Sequence, residues 1–528
     1  MNKKNFYFLI FVFFTNTHYA QQADILIKNG RIIDGTGNSW YNGDLAITNG
    51  KISYIGKQKN ITALKTIDAK GFIVAPGFID VHTHIEGGEA GTPTAVNFIL
   101  DGVTTVVTGN CGSSATDIQK YFQFIDSLKL SVNVATLIGH NTIRRQVMGS
   151  ANRLPTENEI KQMQELVAKA MQQGAVGLST GLIYIPGTYS NTDELISLAK
   201  IASQYNGLYA SHMRDEGDSI VHAINEAITI GEKANIPVQI SHFKVSGQQN
   251  WGRSKQTVDL IKNARTRGLD VTIDQYPYTA SSTSLSTMIP QEILADGNDS
   301  VIARLNRPDV RSYVIKSMLG KLKKRKLKHF SYPVVASHRA DTTYNGKSIE
   351  EINLMKGKKH KAKYEAETVI EMMINGGAQM VFHGMSEDDV KNIMRYPFNM
   401  IASDAGIRAY KQGVPHPRGY GTNARVLGKY VRDEKIISLE EAIRRMTSLP
   451  AQKFQLKDRG LLKEGMAADV VIFDENAIMD MAGFDDPHQY SKGFKYILVN
   501  GKLVVENDAH TGVRSGVSLT GPGLNKVL

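Results

Sequence analysis

Hydrophobic and polar residues follow one pattern near the two ends of the chain and a different pattern between them. Near both ends, short apolar stretches of strand type are separated by Asn-Gly pairs, at Asn29-Gly30, Asn49-Gly50 and Asn500-Gly501. Asn-Gly between two strands is a strong hairpin signal, because both residues tolerate a positive φ. We therefore predict a small β-sandwich domain formed by residues 23–74 together with residues 455–510.

Between these ends, apolar runs alternate with segments of helical spacing, such as residues 157–173 and 192–205. Eight of the runs are predicted strands, at residues 77–82, 103–108, 132–139, 175–180, 207–212, 237–242, 270–275 and 399–404. Eight parallel strands joined by crossover helices make an α/β fold of the (β/α)8 or TIM-barrel type, whose active site lies at the carboxyl ends of the strands. The barrel is predicted to occupy residues 75–454.

The connection between the seventh and eighth predicted strands, from Tyr276 to Phe398, is much longer than the others. Long connections inside compact domains are usually functional or contain structure of their own. We predict an inserted subdomain at residues 288–375, placed where it can cover the mouth of the barrel.

The first twenty residues have the features of a secretory signal peptide. Lys3 and Lys4 precede an apolar run from Phe6 to Phe14, and Ala20 ends the segment. The run is too short for a stable membrane span, so we predict cleavage and a periplasmic or secreted protein. The single cysteine, Cys111, has no partner in its own chain, which excludes an intramolecular disulfide.

The net charge of +11 comes from two short segments. Residues 321–328 contain six basic side chains and residues 356–363 contain five, and neither run contains an acidic residue. These eleven positive charges equal the net charge of the whole chain. Charge confined in this way usually marks a solvated surface rather than a nucleic-acid interface. We therefore expect no nucleic-acid partner, and a small-molecule partner is expected only from the family resemblance described below; the sequence does not predict an oligomeric state.

Potential metal ligands collect at the carboxyl ends of the predicted strands. His82 and His84 are two residues apart, so a strand places both on one face. The other candidates follow later strands: Cys111, His212, His242 and Asp404. Imidazole, thiolate and carboxylate together favour Zn²⁺. Six ligands exceed the need of one tetrahedral ion, so a second metal bridged by Cys111 remains an open alternative.

Two cations follow predicted ligands by two residues and are therefore candidates for binding an anionic substrate group. Lys244 follows His242, and Arg214 follows His212. Residues two apart on a strand share a face, which would direct both cations toward the same cavity.

Several segments resemble one known family, in order along the chain. They are PGFIDVHTH, GVTTVVTGNCGSS, GLSTGLIY, ASHMRDE, ISHFKVSG, DQYPYTASST, MIASDAG and HPRGYGT. Together they resemble the N-acyl-D-amino-acid deacylase (D-aminoacylase) branch of the amidohydrolase superfamily, over about residues 23–505. The resemblance implies a distorted (β/α)8 barrel with a small β-domain.

The resemblance also implies roles for individual residues. It implies a tightly bound zinc at Cys111, His212 and His242, a weaker metal position at His82 and His84, and a catalytic acid/base at Asp404. It places near the substrate carboxylate the residues Lys244, Tyr278, Ser282 and Arg418, with Tyr184 lining the pocket.

The expected function is hydrolysis of the amide of N-acyl-D-amino acids by metal-activated water, with Asp404 moving the proton. One alternative is another amidohydrolase, either a cyclic amidase similar to dihydroorotase and hydantoinase or a D-dipeptidase. A second alternative, from a different class, is a non-catalytic protein that binds an anionic envelope polymer through its basic runs.

Overall fold

The computed structural model describes residues 22–57 and 60–526. The predicted signal peptide, residues 1–20, lies outside this range. Among the helices in the described part of the chain, none combines the length and the apolar character needed to cross a membrane.

All eight predicted barrel strands are present and pair in parallel. They are Phe78–Asp80 (β1), Val103–Thr108 (β2), Asn133–Thr136 with Ile138–Gly139 (β3), Gly177–Gly181 (β4), Leu208–His212 (β5), Val238–Ile240 (β6), Val271–Gln275 (β7) and Asn399–Ile401 (β8). The barrel closes between β8 and β1, where the Asp404 N–H donates to the His82 carbonyl at 2.9 Å. The His84 N–H donates to the Ala405 carbonyl at 2.8 Å in the same seam. The predicted fold class is therefore confirmed.

The two helices named from the sequence are confirmed at Glu157–Gln172 and Thr192–Gln204. The first begins with a capping box between Thr156 and Glu159, and Asn191 caps the second, so exposed amide groups are satisfied at both starts. The other helices around the barrel are Val96–Ile99, Ile118–Leu128, His140–Met148, Ile220–Ala234, Ser254–Thr266, Glu387–Met394, Arg418–Arg425, the π-helical Val426–Asp433, Leu439–Met446 and Ser448–Lys453. A hydrophobic core fills the space between these helices and the strands.

Strands from both ends of the chain share one nine-stranded sheet outside the barrel. They are Ala23–Ile32, Tyr41–Thr48, Lys51–Gly56, Ala63–Asp68, Ile73–Pro76, Val470–Phe473, Phe494–Val499, Lys502–Glu506 and Ala509–His510. The two ends join where Ile73–Pro76 pairs antiparallel with Val470–Phe473. The hairpins predicted at Asn49-Gly50 and Asn500-Gly501 are confirmed, each with both residues at positive φ.

The prediction of a hairpin at Asn29-Gly30 is wrong. These residues lie inside the single strand Ala23–Ile32, where the register with its partner shifts between Ile27 and Gly30. Asn29 adopts the left-handed conformation and its N–H donates to the Asp44 carboxylate at 2.9 Å. The pair therefore forms a β-bulge, which a residue at positive φ favours as much as it favours a hairpin turn.

The long connection between β7 and β8 forms a unit with its own hydrophobic core. Its three antiparallel strands are Ala280–Ser284, Pro333–Ser337 and Gln379–His383, and its helices are Asn298–Asn306, Pro308–Lys324, Ile349–Met355 and Ala362–Ile374. We call residues 280–383 the insertion. The range predicted from sequence, 288–375, lies inside it because the sequence pattern did not reveal the two strands at its ends.

Candidate metal centre and active site

Cys111 lies at the centre of a group of imidazoles at the carboxyl end of the barrel. Its Sγ is 3.3 Å from His82 Nε2, 3.6 Å from His212 Nδ1 and 3.7 Å from His242 Nε2. In a tetrahedral zinc site with bonds of roughly 2.0–2.3 Å, ligand atoms lie about 3.5 Å apart. The spacing and the chemistry of these donors therefore fit a zinc ion.

The remaining predicted ligands join the same group. His84 Nε2 lies 3.2 Å from Asp404 Oδ1, and His82 Nε2 lies 3.6 Å from the same oxygen. The donor atoms form three overlapping sets, each with members within 4.8 Å of one another: His82, His84 and Cys111; Cys111, His212 and His242; and His82, His242 and Asp404. The structure thus brings all six predicted ligands together.

Three of the six residues have a positive φ: 52° at Cys111, 35° at His242 and 51° at Asp404. Each lies just past the end of its strand, where the chain turns away from the barrel. Non-glycine residues adopt this conformation at an energetic cost, and such residues concentrate at functional sites. The sharp turn directs each side chain over the barrel mouth.

Every member of the cluster except the partly exposed His84 is buried, so the charges interact strongly. Burial raises the pKa of the Cys111 thiol, but the imidazoles of His82 and His212 outweigh burial and hold it well below its ordinary value. Burial likewise raises the pKa of Asp404, yet Arg418 and neighbouring histidines hold it well below the usual range. Both shifts favour the anionic form, which is the form that binds a cation.

Three carboxylates that were not predicted from sequence lie beside the ligands: Asp80 and Asp274 are buried, and Glu216 is partly buried. Glu216 Oε1 lies 2.9 Å from His242 Nδ1, the ring nitrogen opposite the one facing Cys111. Asp274 accepts the backbone N–H of His242 at 2.7 Å, and Asp80 accepts the backbone N–H groups of His82 and Ser403, each at 3.1 Å. A carboxylate at the second ring nitrogen, as Glu216 is at His242, fixes the orientation of a metal-binding imidazole. Asp274 and Asp80 instead hold the backbone from which His242 and His82 project.

A cavity of about 340 Å³ opens beside the cluster. His212, His242 and Asp404 line its inner end. Its outer wall belongs to the insertion and includes Met318, Lys321, Lys324, Arg325, Phe330, Tyr332 and Phe382. The first basic run, expected to be a solvated surface, therefore contributes three cations to this cavity, because the insertion folds back over the barrel mouth.

Lys244 and Arg418 both reach the site, but each already has a protein partner there. Lys244 Nζ lies 2.5 Å from Glu216 Oε1 and donates to the His242 carbonyl at 2.8 Å. Arg418 Nη1 lies 2.9 Å from Asp404 Oδ2, an ion pair without the alignment of a hydrogen bond. Both cations thus stabilise the ligand cluster in addition to facing the cavities.

Tyr184 and Ser282 also lie at the site. The Tyr184 ring packs against His212 with ring centroids 4.8 Å apart, and its hydroxyl lies 2.9 Å from Thr283 Oγ1. The Ser282 hydroxyl donates to the Met380 carbonyl at 2.8 Å. Both residues line the 340 Å³ cavity and a larger, open cleft next to it.

Two predicted substrate-binding residues lie elsewhere. The Arg214 guanidinium forms a double ion pair with Glu226, both contacts at 3.0 Å, and donates to the Thr188 and Ser190 carbonyls. It lines neither cavity, because β5 ends at His212 and the two-residue alternation does not continue beyond it.

Tyr278 is buried beneath the Arg425 guanidinium, which lies 4.7 Å from its ring centroid, and it also lines neither cavity. The nearby Tyr276 lines the 340 Å³ cavity instead, with the Arg418 guanidinium 4.5 Å from its ring centroid. The sequence contains both tyrosines beyond the end of β7, where strand alternation no longer shows which of them faces inward.

Comparison with known proteins agrees with this architecture. A model of the amidohydrolase family matches residues 65–505. The chain is 34% identical over 520 residues to the D-aminoacylase of Alcaligenes xylosoxydans xylosoxydans, covering 94% of this chain and 97% of that protein.

Two solved structures are similar to the whole described fold. One is the N-acyl-D-glutamate deacylase of Bordetella bronchiseptica with zinc and a phosphonate inhibitor that mimics the tetrahedral intermediate of the reaction; it has a TM-score of 0.81 and 33% identity, over 95% of this chain and 100% of that one. The other is a D-aminoacylase with a binuclear metal centre, described as activated by one metal and attenuated by a second. Its TM-score is 0.80 and its identity 33%, over 94% of this chain and 100% of that one.

A group of histidine, cysteine and aspartate ligands at the carboxyl rim of a (β/α)8 barrel defines the class of metal-dependent hydrolases. The family match and the relatives make the assignment more specific. The chain belongs to the amidohydrolase family, and within it to the D-aminoacylase branch that its motifs predicted.

Proposed function

We propose that the protein is a zinc-dependent deacylase that cleaves N-acyl-D-amino acids to a carboxylate and a free D-amino acid. The observation that carries this proposal is the position of Asp404, whose carboxylate lies between the imidazole cluster and Arg418 at the inner end of the cavity. The activities of the D-aminoacylase and of the N-acyl-D-glutamate deacylase described above support the same class of substrate.

The residues that would hold the tightly bound ion are Cys111, His212 and His242, with His82, His84 and Cys111 available for a second ion. When bound, zinc supplies a Lewis acid that polarises an amide carbonyl and increases the acidity of nearby water. We propose that one bound ion is sufficient for activity.

Asp404 would carry the proton between the two halves of the reaction. As an ionised carboxylate, Asp404 could accept a proton from the attacking water. The same group would then donate that proton to the nitrogen of the departing amine, which is too basic to leave without it. Arg418, in contact with Oδ2, would hold the carboxylate in the orientation that both transfers need.

The cavity would set the orientation of the substrate. Lys244, Tyr184 and Ser282 line it close to His212 and His242, so a substrate carboxylate bound there would lie beside the metal-binding residues. A charge-assisted contact to that carboxylate fixes the α-carbon, and only one enantiomer then presents its amide to the reacting groups. The insertion would complete the cavity and exclude water from it.

The experiment that tests the proposal is product analysis with a panel of substrates. Purified protein with zinc should release free D-amino acids from N-acyl-D-amino acids. Ring opening of hydantoin or dihydroorotate would favour the cyclic-amidase alternative, and cleavage of D-dipeptides alone would favour the dipeptidase. No turnover of any of these substrates would contradict the proposal. We also propose that residues 1–20 direct export to the periplasm or the medium.

A further inference from the structure

A second group of imidazole and carboxylate side chains lies in the insertion. Its members are His329, Glu350, His360 and Glu365. They come from three places: the segment after helix Pro308–Lys324, the helix Ile349–Met355, and the start of helix Ala362–Ile374 together with the residues just before it. None of the four lines either cavity described above, so the group is separate from the active site.

The donor atoms of this group converge. His329 Nδ1 lies 2.6 Å from Glu365 Oε1 and 3.8 Å from Glu350 Oε1, while His360 Nε2 lies 2.6 Å from that same Glu350 oxygen. The two imidazole rings stack with centroids 4.0 Å apart. Ligand atoms of His329, His360 and Glu365 all lie within 4.8 Å of one another.

The charge around this group is unusual for so basic a region. His329 directly follows the first basic run, and His360 lies inside the second. Within the described residues, however, neither Glu350 nor Glu365 is in salt-bridge range of a lysine or arginine. The adjacent Lys356 and Lys358 instead pair with Glu371, each at 2.7 Å. The charged side chains in contact with both carboxylates are thus imidazoles alone.

We propose that His329, His360 and Glu365 bind a divalent zinc ion as a structural site, with Glu350 beside His360 as a further carboxylate. Imidazole and carboxylate are established zinc ligands, and small shifts would bring the three donors to the roughly 3.3 Å expected between ligands of a tetrahedral ion. The two carboxylates neutralise the charge of the ion. Without a thiolate this site binds zinc less tightly than the cluster at Cys111 and releases it first to a chelator.

The site has a direct connection to the substrate cavity. Glu365 is fully buried, and its second oxygen accepts the backbone N–H of Phe330 at 2.7 Å. Phe330 follows His329 in the chain and lines the 340 Å³ cavity. An ion bound by His329 and Glu365 therefore fixes the segment that forms one wall of the active site.

The test is the zinc content of the full-length protein after dialysis against a zinc-buffered solution. The wild-type protein should contain one more zinc per chain than His360→Gln and Glu350→Gln. His360 is half exposed, so its replacement perturbs packing least. His222→Gln, an exposed histidine on helix Ile220–Ala234, is the matched control and should keep the wild-type zinc content.

A second measurement separates this site from the barrel site. The double variant His82→Ala/Cys111→Ala removes a member from all three ligand sets of the barrel. It should still bind one zinc, and adding His360→Gln to it should abolish that binding. Retained circular dichroism in each variant shows that the fold is intact. Equal zinc content in wild type and both insertion variants, or no zinc bound by the folded His82→Ala/Cys111→Ala protein, would overturn the proposal. Neither result depends on deacylase activity.

Discussion

Asp404 Oδ2 lies 2.9 Å from Arg418 Nη1, while its other oxygen lies 3.2 Å from His84 Nε2. One carboxylate thus connects the metal-binding cluster to a fixed cation. This arrangement keeps Asp404 ionised in a buried site, since burial alone raises its pKa and the cation outweighs that effect. The first two predictions follow from this relationship.

Replacing Asp404 by asparagine should remove the group that carries the proton while preserving its shape. We expect kcat to fall about 10²–10⁴-fold, the usual contribution of general acid–base catalysis, with zinc content largely retained. Asp433→Asn, at an exposed ion pair with Arg432, is the control and should turn over normally. Near-normal turnover by Asp404→Asn would show that another group moves the proton.

Replacing Arg418 by methionine should change the pH dependence of the reaction. Without the cation the pKa of Asp404 rises, so the carboxylate becomes protonated at a higher pH and the acidic limb of kcat/KM moves to higher pH. Arg418→Lys keeps the charge and should leave the limb close to that of wild type. An acidic limb at the same pH in the methionine variant would mean that Arg418 does not hold Asp404 ionised.

Glu216 should control how tightly the barrel cluster holds zinc. It contacts His242 Nδ1, and loss of such a partner typically lowers metal affinity about 10–100-fold. We expect Glu216→Gln to show that loss in a competition titration with a zinc chelator. Glu232→Gln, an exposed glutamate, should bind zinc like wild type. Unchanged affinity in Glu216→Gln would remove Glu216 from the support of the ligands.

Lys244 should affect substrates with a free carboxylate more than those without one. Lys244→Ala leaves Glu216 without its cation, and that effect applies to every substrate. Loss of a charged contact to the substrate should reduce transition-state stabilisation by a further amount of about 1.5–3 kcal/mol. This loss is measured by comparing kcat/KM on N-acyl-D-amino acids with kcat/KM on their amides. Equal losses on acids and amides would show that Lys244 supports the cluster only. An acid-specific loss in Lys321→Ala instead would place the anchor on the insertion.

The sequence predicted the barrel well because buried parallel strands leave regular apolar runs. The carboxyl ends of such strands meet at one rim. This rule alone grouped the six predicted ligands, from His82 to Asp404, before any of their contacts was known. The same reasoning misplaced Arg214, because alternation between faces stops where the strand ends. Tyr278 was placed near the substrate by the family resemblance alone, and it lines neither cavity.

Other features of the site left no signal that could be read from one sequence. Glu216 lies four residues past His212 in an irregular loop, and only the folded chain brings it to His242. Asp274, by contrast, lies near the end of β7 and could have been found by the same rule that found Asp404. The basic run at residues 321–328 was expected to be a solvated surface, since sequence does not show how an insertion folds back over a barrel.

The central claim is that this active site hydrolyses the amide of one enantiomer. The most direct measurement is kcat/KM for matched D and L forms of an N-acyl-amino acid, on the same zinc-loaded preparation, with Asp404→Asn as the inactive reference. We expect rapid release of the free D-amino acid from the D form and little release from the L form. Equal rates on both enantiomers, or no hydrolysis of either by the zinc-loaded protein, would contradict it.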